Sequence, residues 1–253
     1  MAAIAPVMID EFDRSSPAGL TSISITAASP QPPRIADGTL EGIKWLALVL
    51  MTVDHVNKYL LHESVAALFL LGRIAMPLFV FVLAYNLARP DAVQNGSVKR
   101  TMRRLLVAGT AASIPYIALG TVAGWWPLNI LFTLLAATSI IAALASGGKA
   151  YLAGAAVVFI VGGALVEYWW PALLLAVASW AYAQRPTTKR LAALICTLVA
   201  LAPINGNLWA IAALPVILGA PHLHVTMRRR ATLFYVYYPA HLAAVWAVRA
   251  VIA

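Results

Sequence analysis

From residue 43 to the C-terminus, apolar stretches of roughly helix-spanning length follow one another with only short polar breaks between them. A helix that crosses a bilayer needs about 20 mostly apolar residues, because its backbone must satisfy its own hydrogen bonds where water is absent. Nine such stretches are expected, near 43–62, 65–87, 104–123, 127–145, 149–166, 170–184, 190–204, 207–220 and 231–252. Those near 170–184 and 207–220 are short enough to be tilted, broken or re-entrant. Composition agrees: 62% of the 253 residues are hydrophobic and 11% are charged, against about 25% charged in ordinary soluble domains. The expected fold is an all-α, polytopic membrane bundle of about nine helices over 41–253. A tail over 1–40, mixed in acids, Ser, Thr and Pro, precedes it without the basic start and apolar centre of a secretory signal.

The net charge of +9 would point to nucleic acid in a soluble chain, but here the basic residues gather in alternate short loops. Arg89, Lys99, Arg100, Arg103 and Arg104 join spans two and three, and Lys149 joins four and five. Arg185, Lys189 and Arg190 join six and seven, and Arg228, Arg229 and Arg230 join eight and nine. The intervening loops, around AGWWPLN, VEYWWP and APINGN, carry no Lys or Arg. The positive-inside rule therefore puts the N-terminus in the cytoplasm and the C-terminus outside, with the WW pairs at the outer interface. No nucleic-acid partner is expected; membrane lipid is. The single Cys196 excludes an intrachain disulfide.

Within the first span, MTVDHVNKY sets Asp54 and His55 where lipid should be the solvent. The hairpin of spans one and two turns near residue 64. His55 precedes that point by nine residues and Arg73 follows it by nine, roughly 13–14 Å below the turn and near mid-membrane. His241, ten residues into the last span, reaches a similar depth. Asp54, His55, Arg73 and His241 can form one polar layer, which needs mutual pairing or water, because charged side chains at mid-helix cost at least ~2.5 kcal/mol each. Neighbours in a helix point about 100° apart, so Asp54 is expected to meet Arg73 or a residue of another span rather than orient His55. Lys44 lies eleven residues before His55, which returns it to the same helix face about 16 Å towards the cytoplasm.

Asn129, Glu167, Asn205 and Asn207 gather at the outer ends of the spans. They can contact a polar acceptor, and the asparagines can equally cap helix ends. His241 by itself can equally be a helix-to-helix hydrogen bond. His222 and His224 have a spacing seen in metal sites, but no nearby carboxylate or Cys completes a set, and no metal is expected.

Four words occur in order: KWLALVLMTVDHVNKYL, LLGRIAMPLFVFVLAYNLA, PLNILFTLL and LFYVYYPAHL. Together they resemble the TraX family of conjugation-associated membrane proteins over residues 43–247. That family is similar in turn to the membrane acyltransferase-3 superfamily, whose basic residue, ten intervening positions and histidine read here as Lys44 to His55, with Lys where Arg is usual. The resemblance implies an enzyme of the bacterial inner membrane that moves an acetyl group from acetyl-CoA to the N-terminal amine of a pilin subunit. His55, Asp54, Arg73 and His241 would form the catalytic group. Lys44, Arg103 and Arg104 would hold the CoA phosphates, and Asn129, Glu167, Asn205 and Tyr238 the acceptor. The alternative is a transporter or pilus-assembly factor, since mid-membrane ionisable groups also mark substrate paths. The chain shows none of the internal repeats of common transporter folds.

Overall fold

The computed structural model describes residues 34–90, 92 and 95–252. The expected tail lies outside the described residues as far as 33, and the chain is helical from Asp37. The helices are α1 (Asp37–Tyr59), α2 (Ala66–Gly72), α3 (Ala75–Leu87), α4 (Ser97–Leu119), α5 (Ile130–Ser146) and α6 (Lys149–Val157). They continue as α7 (Gly163–Leu165), α8 (Trp169–Gln184), α9 (Thr188–Val199), α10 (Ala202–Asn205), α11 (Ala213–Gly219) and α12 (Ala231–Ile252). Among the described residues there is no β-strand, only two isolated bridges.

Helix occurs in each of the nine expected stretches, but four are interrupted, three of them beside a proline, while Pro115 and Pro239 lie inside the continuous α4 and α12. A proline inside a helix lacks the N–H that bonds the carbonyl four residues back, and its ring presses on that carbonyl. Pro77 faces back to Arg73, where α2 gives way to α3. Pro203 faces back to Val199, where α9 ends. Pro215 faces back to Ile211, inside the 3-10 turn Trp209–Ala212 that precedes α11. The stretch 207–220 is thus broken, whereas 170–184 is one continuous helix, α8. A π turn, Val158–Gly162, separates α6 from α7. Ala66–Leu87 and Thr188–Asn205 are long and apolar enough to cross a membrane by length and composition; Ile130–Ser146, Lys149–Leu165 and Trp209–His222 are apolar but shorter.

Helix α3 packs on α1, α5 and α8, while α12 lies along α4 and touches α1. The buried centre is apolar: Leu78, Phe81, Leu105, Ile141, Leu173, Leu175 and Leu242 are almost wholly enclosed. The outside is also apolar. Leu106, Val107, Ile114 and Ile117 on α4, Leu152 and Val157 on α6, and Val236, Trp246 and Val248 on α12 are all exposed. A soluble monomer rarely exposes apolar surface so continuously.

Candidate functional site

Helix α1 carries the site along one side, and the chain break after α2 supplies its counter-charge. Arg73 is the C-cap of α2, and its Nη2 donates to both Asp54 oxygens at 2.7 Å. Its guanidinium also lies over the Phe69 ring, 4.5 Å from the centroid. The helices approach this closely because residue 72 is glycine: a Cβ there would overlap the Asp54 carboxylate. The Arg73 Nε is buried without a partner. Asp54 is therefore the partner of Arg73, and His55 one residue on faces elsewhere.

His55 meets α12. Its Nδ1 is 2.7 Å from Nε2 of His241, the ring planes differ by 4°, and the centroids are 4.9 Å apart. Two imidazoles joined through a nitrogen–nitrogen hydrogen bond have that centroid spacing when they lie edge to edge in one plane, so the contact is a linear hydrogen bond and not a face-to-face stack. The tautomers follow from donors and acceptors. His241 Nδ1 faces the Tyr237 carbonyl at 3.2 Å, which can only accept, so this nitrogen carries the proton. In a neutral His241, Nε2 is then the acceptor and His55 Nδ1 the donor. The lone pair of the whole chain of bonds is left on His55 Nε2. Tyr59 and Tyr238 flank the His55 ring, with centroids 5.8 and 6.4 Å away.

Towards the N-terminal end of α1 a cavity of about 160 Å³ opens. Its walls are apolar, with Leu48, Met51, Phe79, Leu105 and Phe234 among them, and its rim carries Lys44, Arg104, Arg229, Asn86 and Thr101. Lys44 Nζ is 2.5 Å from Glu41 Oε2 and 4.5 Å from the centre of the Phe234 ring. Glu41 is 1% exposed, and its other oxygen accepts from the Arg230 backbone N–H at 2.9 Å. Thr39 ties the same segment to α1: its hydroxyl donates to the Leu223 carbonyl at 2.6 Å and accepts from Val225 N–H at 3.3 Å. These bonds hold Arg229 across the rim from Lys44. Just beyond, Arg89 hydrogen-bonds Asp37, which holds that carboxyl below the usual carboxylate range.

The structure thus joins Asp54 to Arg73 and His55 to His241, and sets Lys44 and Arg104 on one cavity with Tyr238. Arg103 is left out. It is exposed on α4, because adjacent helical residues diverge by about 100° and Arg104 takes the inward position. Asn129 is 0% exposed and fully engaged: it caps α5 by accepting from Leu131 N–H and donates to the Gly109 carbonyl and the Ser113 hydroxyl. It holds α4 to α5 and is closed to a ligand. Asn205 is buried with both amide atoms unpartnered, while Asn207 bonds the turn at Asn205 and Trp209. Glu167 is half-buried, and its carboxylate faces the Tyr116 hydroxyl. His222 and His224 are exposed, and no group of three metal-binding side chains occurs among the described residues. Sequence reasoning placed Arg229 only among the basic loop residues, and missed Glu41, Asn86 and Thr101 as site residues. Glu41 alone left a signal, an acid one turn before Lys44.

A family model described as TraX protein matches residues 39–249. The chain belongs to the TraX family. Protein TraX of Escherichia coli is 29% identical over 178 residues, covering 66% of this chain and 66% of that one. Protein TraX of Escherichia coli strain K12 is 33% identical over 104 residues, 41% of this chain and 39% of the relative. RP591, an uncharacterized protein of Rickettsia prowazekii strain Madrid E, is 43% identical over 44 residues, 17% of each chain. The matches to the two TraX proteins span just under two thirds, and about two fifths, of their lengths. No solved structure matches the chain. The family match contains Lys44, Asp54, His55, Arg73 and His241.

Proposed function

We propose that this TraX-family chain is a multi-pass enzyme of the bacterial inner membrane that moves an acetyl group from acetyl-CoA to an amine, the N-terminus of a pilin subunit being the expected acceptor. The observation that carries the reading is the hydrogen-bonded His55–His241 pair beyond the inner end of an apolar cavity rimmed by Lys44, Arg104 and Arg229. The apolar exterior of α4, α6 and α12 supports a lipid setting. The basic loops then put the N-terminus and the cavity rim in the cytoplasm, where acetyl-CoA is found. A likeness to the acyltransferase-3 superfamily rests on the Lys44-to-His55 spacing.

The residues fit the donor in part. The cavity is smaller than the ~300–1,000 Å³ of pockets that enclose a whole drug-sized ligand. It suits the slender acylated arm of CoA, leaving the phosphates to the cationic rim, where charge-assisted hydrogen bonds are strongest. His55 Nε2, the free lone pair, takes the proton from the acceptor amine as its nitrogen attacks the thioester carbonyl. The carbon–sulfur bond breaks, and the CoA thiolate leaves and is protonated. His241 is a positioning residue: it holds His55 in the tautomer that presents Nε2 and shares the positive charge that forms. Arg73 neutralises Asp54, and its unpartnered Nε is the donor available to an oxyanion.

Thermal unfolding of the detergent-purified protein tests the donor. Acetyl-CoA at a hundred times its Kd should stabilise the fold by about 2.7 kcal/mol, and the Lys44→Ala, Arg104→Ala variant should lose most of that. No shift in the wild-type protein would remove the acyl-CoA reading.

A further inference from the structure

The cavity and the histidines do not meet. Met51, Tyr237 and Tyr238 line the cavity, but His55 and His241 do not. The other sides of the same tyrosines face the histidines. The Tyr237 ring lies within 12° of parallel to His241 at a centroid distance of 5.2 Å. Tyr238 stands edge-on to His241 at 5.4 Å and to His55 at 6.4 Å. The two tyrosines are therefore a partition one side chain thick.

Tyr237 is fastened from across the bundle. Thr52, on α1 three residues before His55, gives its hydroxyl proton to the Leu48 carbonyl at 2.8 Å. Its oxygen then has only lone pairs for Tyr237, whose hydroxyl lies 2.9 Å away and must be the donor. One neutral hydrogen bond holds the ring across the route from cavity to histidine.

We propose that Tyr237, latched by Thr52, is a positioning residue that keeps the inner cavity closed to the histidine pair and thereby sets the balance between acyl transfer and loss of the acyl group to water. The second half of this statement rests on the acyltransferase reading; the partition itself does not. An acyl thioester beside a base is open to hydrolysis, in which water's oxygen joins the acyl carbon, the carbon–sulfur bond breaks, and carboxylate and thiol leave. A partition that opens seldom limits that loss. Removing a single neutral hydrogen bond raises the open population roughly two- to tenfold.

The test is diethyl pyrocarbonate modification of the full-length protein in detergent, read at each histidine by peptide mass spectrometry. The exposed His222 and His224 serve as internal references. His55 and His241 should react much more slowly than these in the wild type, and two- to tenfold faster in Thr52→Val and Tyr237→Phe. The references should not change, and Thr52→Ser, which keeps the hydroxyl, should behave as wild type. Hydrolysis of acetyl-CoA without acceptor should rise in the same two variants relative to transfer. Unchanged His55 and His241 labelling in both variants would overturn the latch, as would wild-type labelling as fast as the references. If labelling follows the expected pattern but no variant binds or turns over acetyl-CoA, the partition stands and the acyltransferase reading fails.

Discussion

Asn129 and the residues at the cavity rim differ in what their hydrogen-bonding capacity is used for. Asn129 is fully engaged, capping α5 and tying it to α4. Asn57 likewise exchanges two bonds with Val65 across the α1–α2 turn. Both asparagines are part of the fold. At the cavity rim Lys44 has one carboxylate partner and Arg104 lies over the Tyr235 ring, while both face open space. In the layer between them Arg73 answers Asp54 but keeps an unpartnered Nε, and the His55–His241 chain ends in a lone pair. Asn205, buried with both amide atoms unpartnered, belongs by this measure with the rim residues and not with Asn129.

That contrast is broken most sharply at the histidine. His55→Gln should lower acyl transfer by about 10²–10⁴-fold, the usual share of a general base, while the protein accumulates and still gains stability from acetyl-CoA. Asp54→Asn should act in the opposite way. Leaving Arg73 buried without its counter-charge costs about 3–5 kcal/mol, visible as a lower unfolding midpoint, with transfer per folded molecule less affected than in His55→Gln. Asn129→Ala loses a cap and two buried bonds, which should cost roughly 1–3 kcal/mol, and should leave the acetyl-CoA shift intact. A lost shift would move Asn129 from architecture to binding.

The smallest effect belongs to Asp37, whose side chain is largely exposed. Its carboxyl is held low by Arg89, so its contribution is present above the unfolded value of about 3.9 and is lost as pH falls through the folded one. Asp37→Asn should flatten that acid limb of the stability curve slightly, and leave stability at neutral pH nearly unchanged.

How much of this was legible in the sequence depends on the range of the contact. That His55 and His241 share a level followed from counting residues along the first and last spans, since helical rise is constant, and helix rotation separated Asp54 from His55 without choosing between Arg73 and another span as its partner. The ends of α2 and α9 could have been read from Pro77 and Pro203 but were not, because apolar runs continue through them. The direction of Arg103 and the bond from Arg230 to Glu41 depend on how α4 and the segment before α12 are turned, which no local pattern encodes. Tyr237 was hidden for the same reason: its partner Thr52 is 185 residues away.

The central claim is that His55 drives transfer of an acetyl group to a pilin amine. The most direct measurement is the intact mass of the mature pilin from cells carrying the wild-type protein, the His55→Gln variant, or neither. One acetyl group on the pilin is expected in the first case and none in the other two. An unacetylated pilin in all three, or acetylation undiminished in His55→Gln, would contradict it.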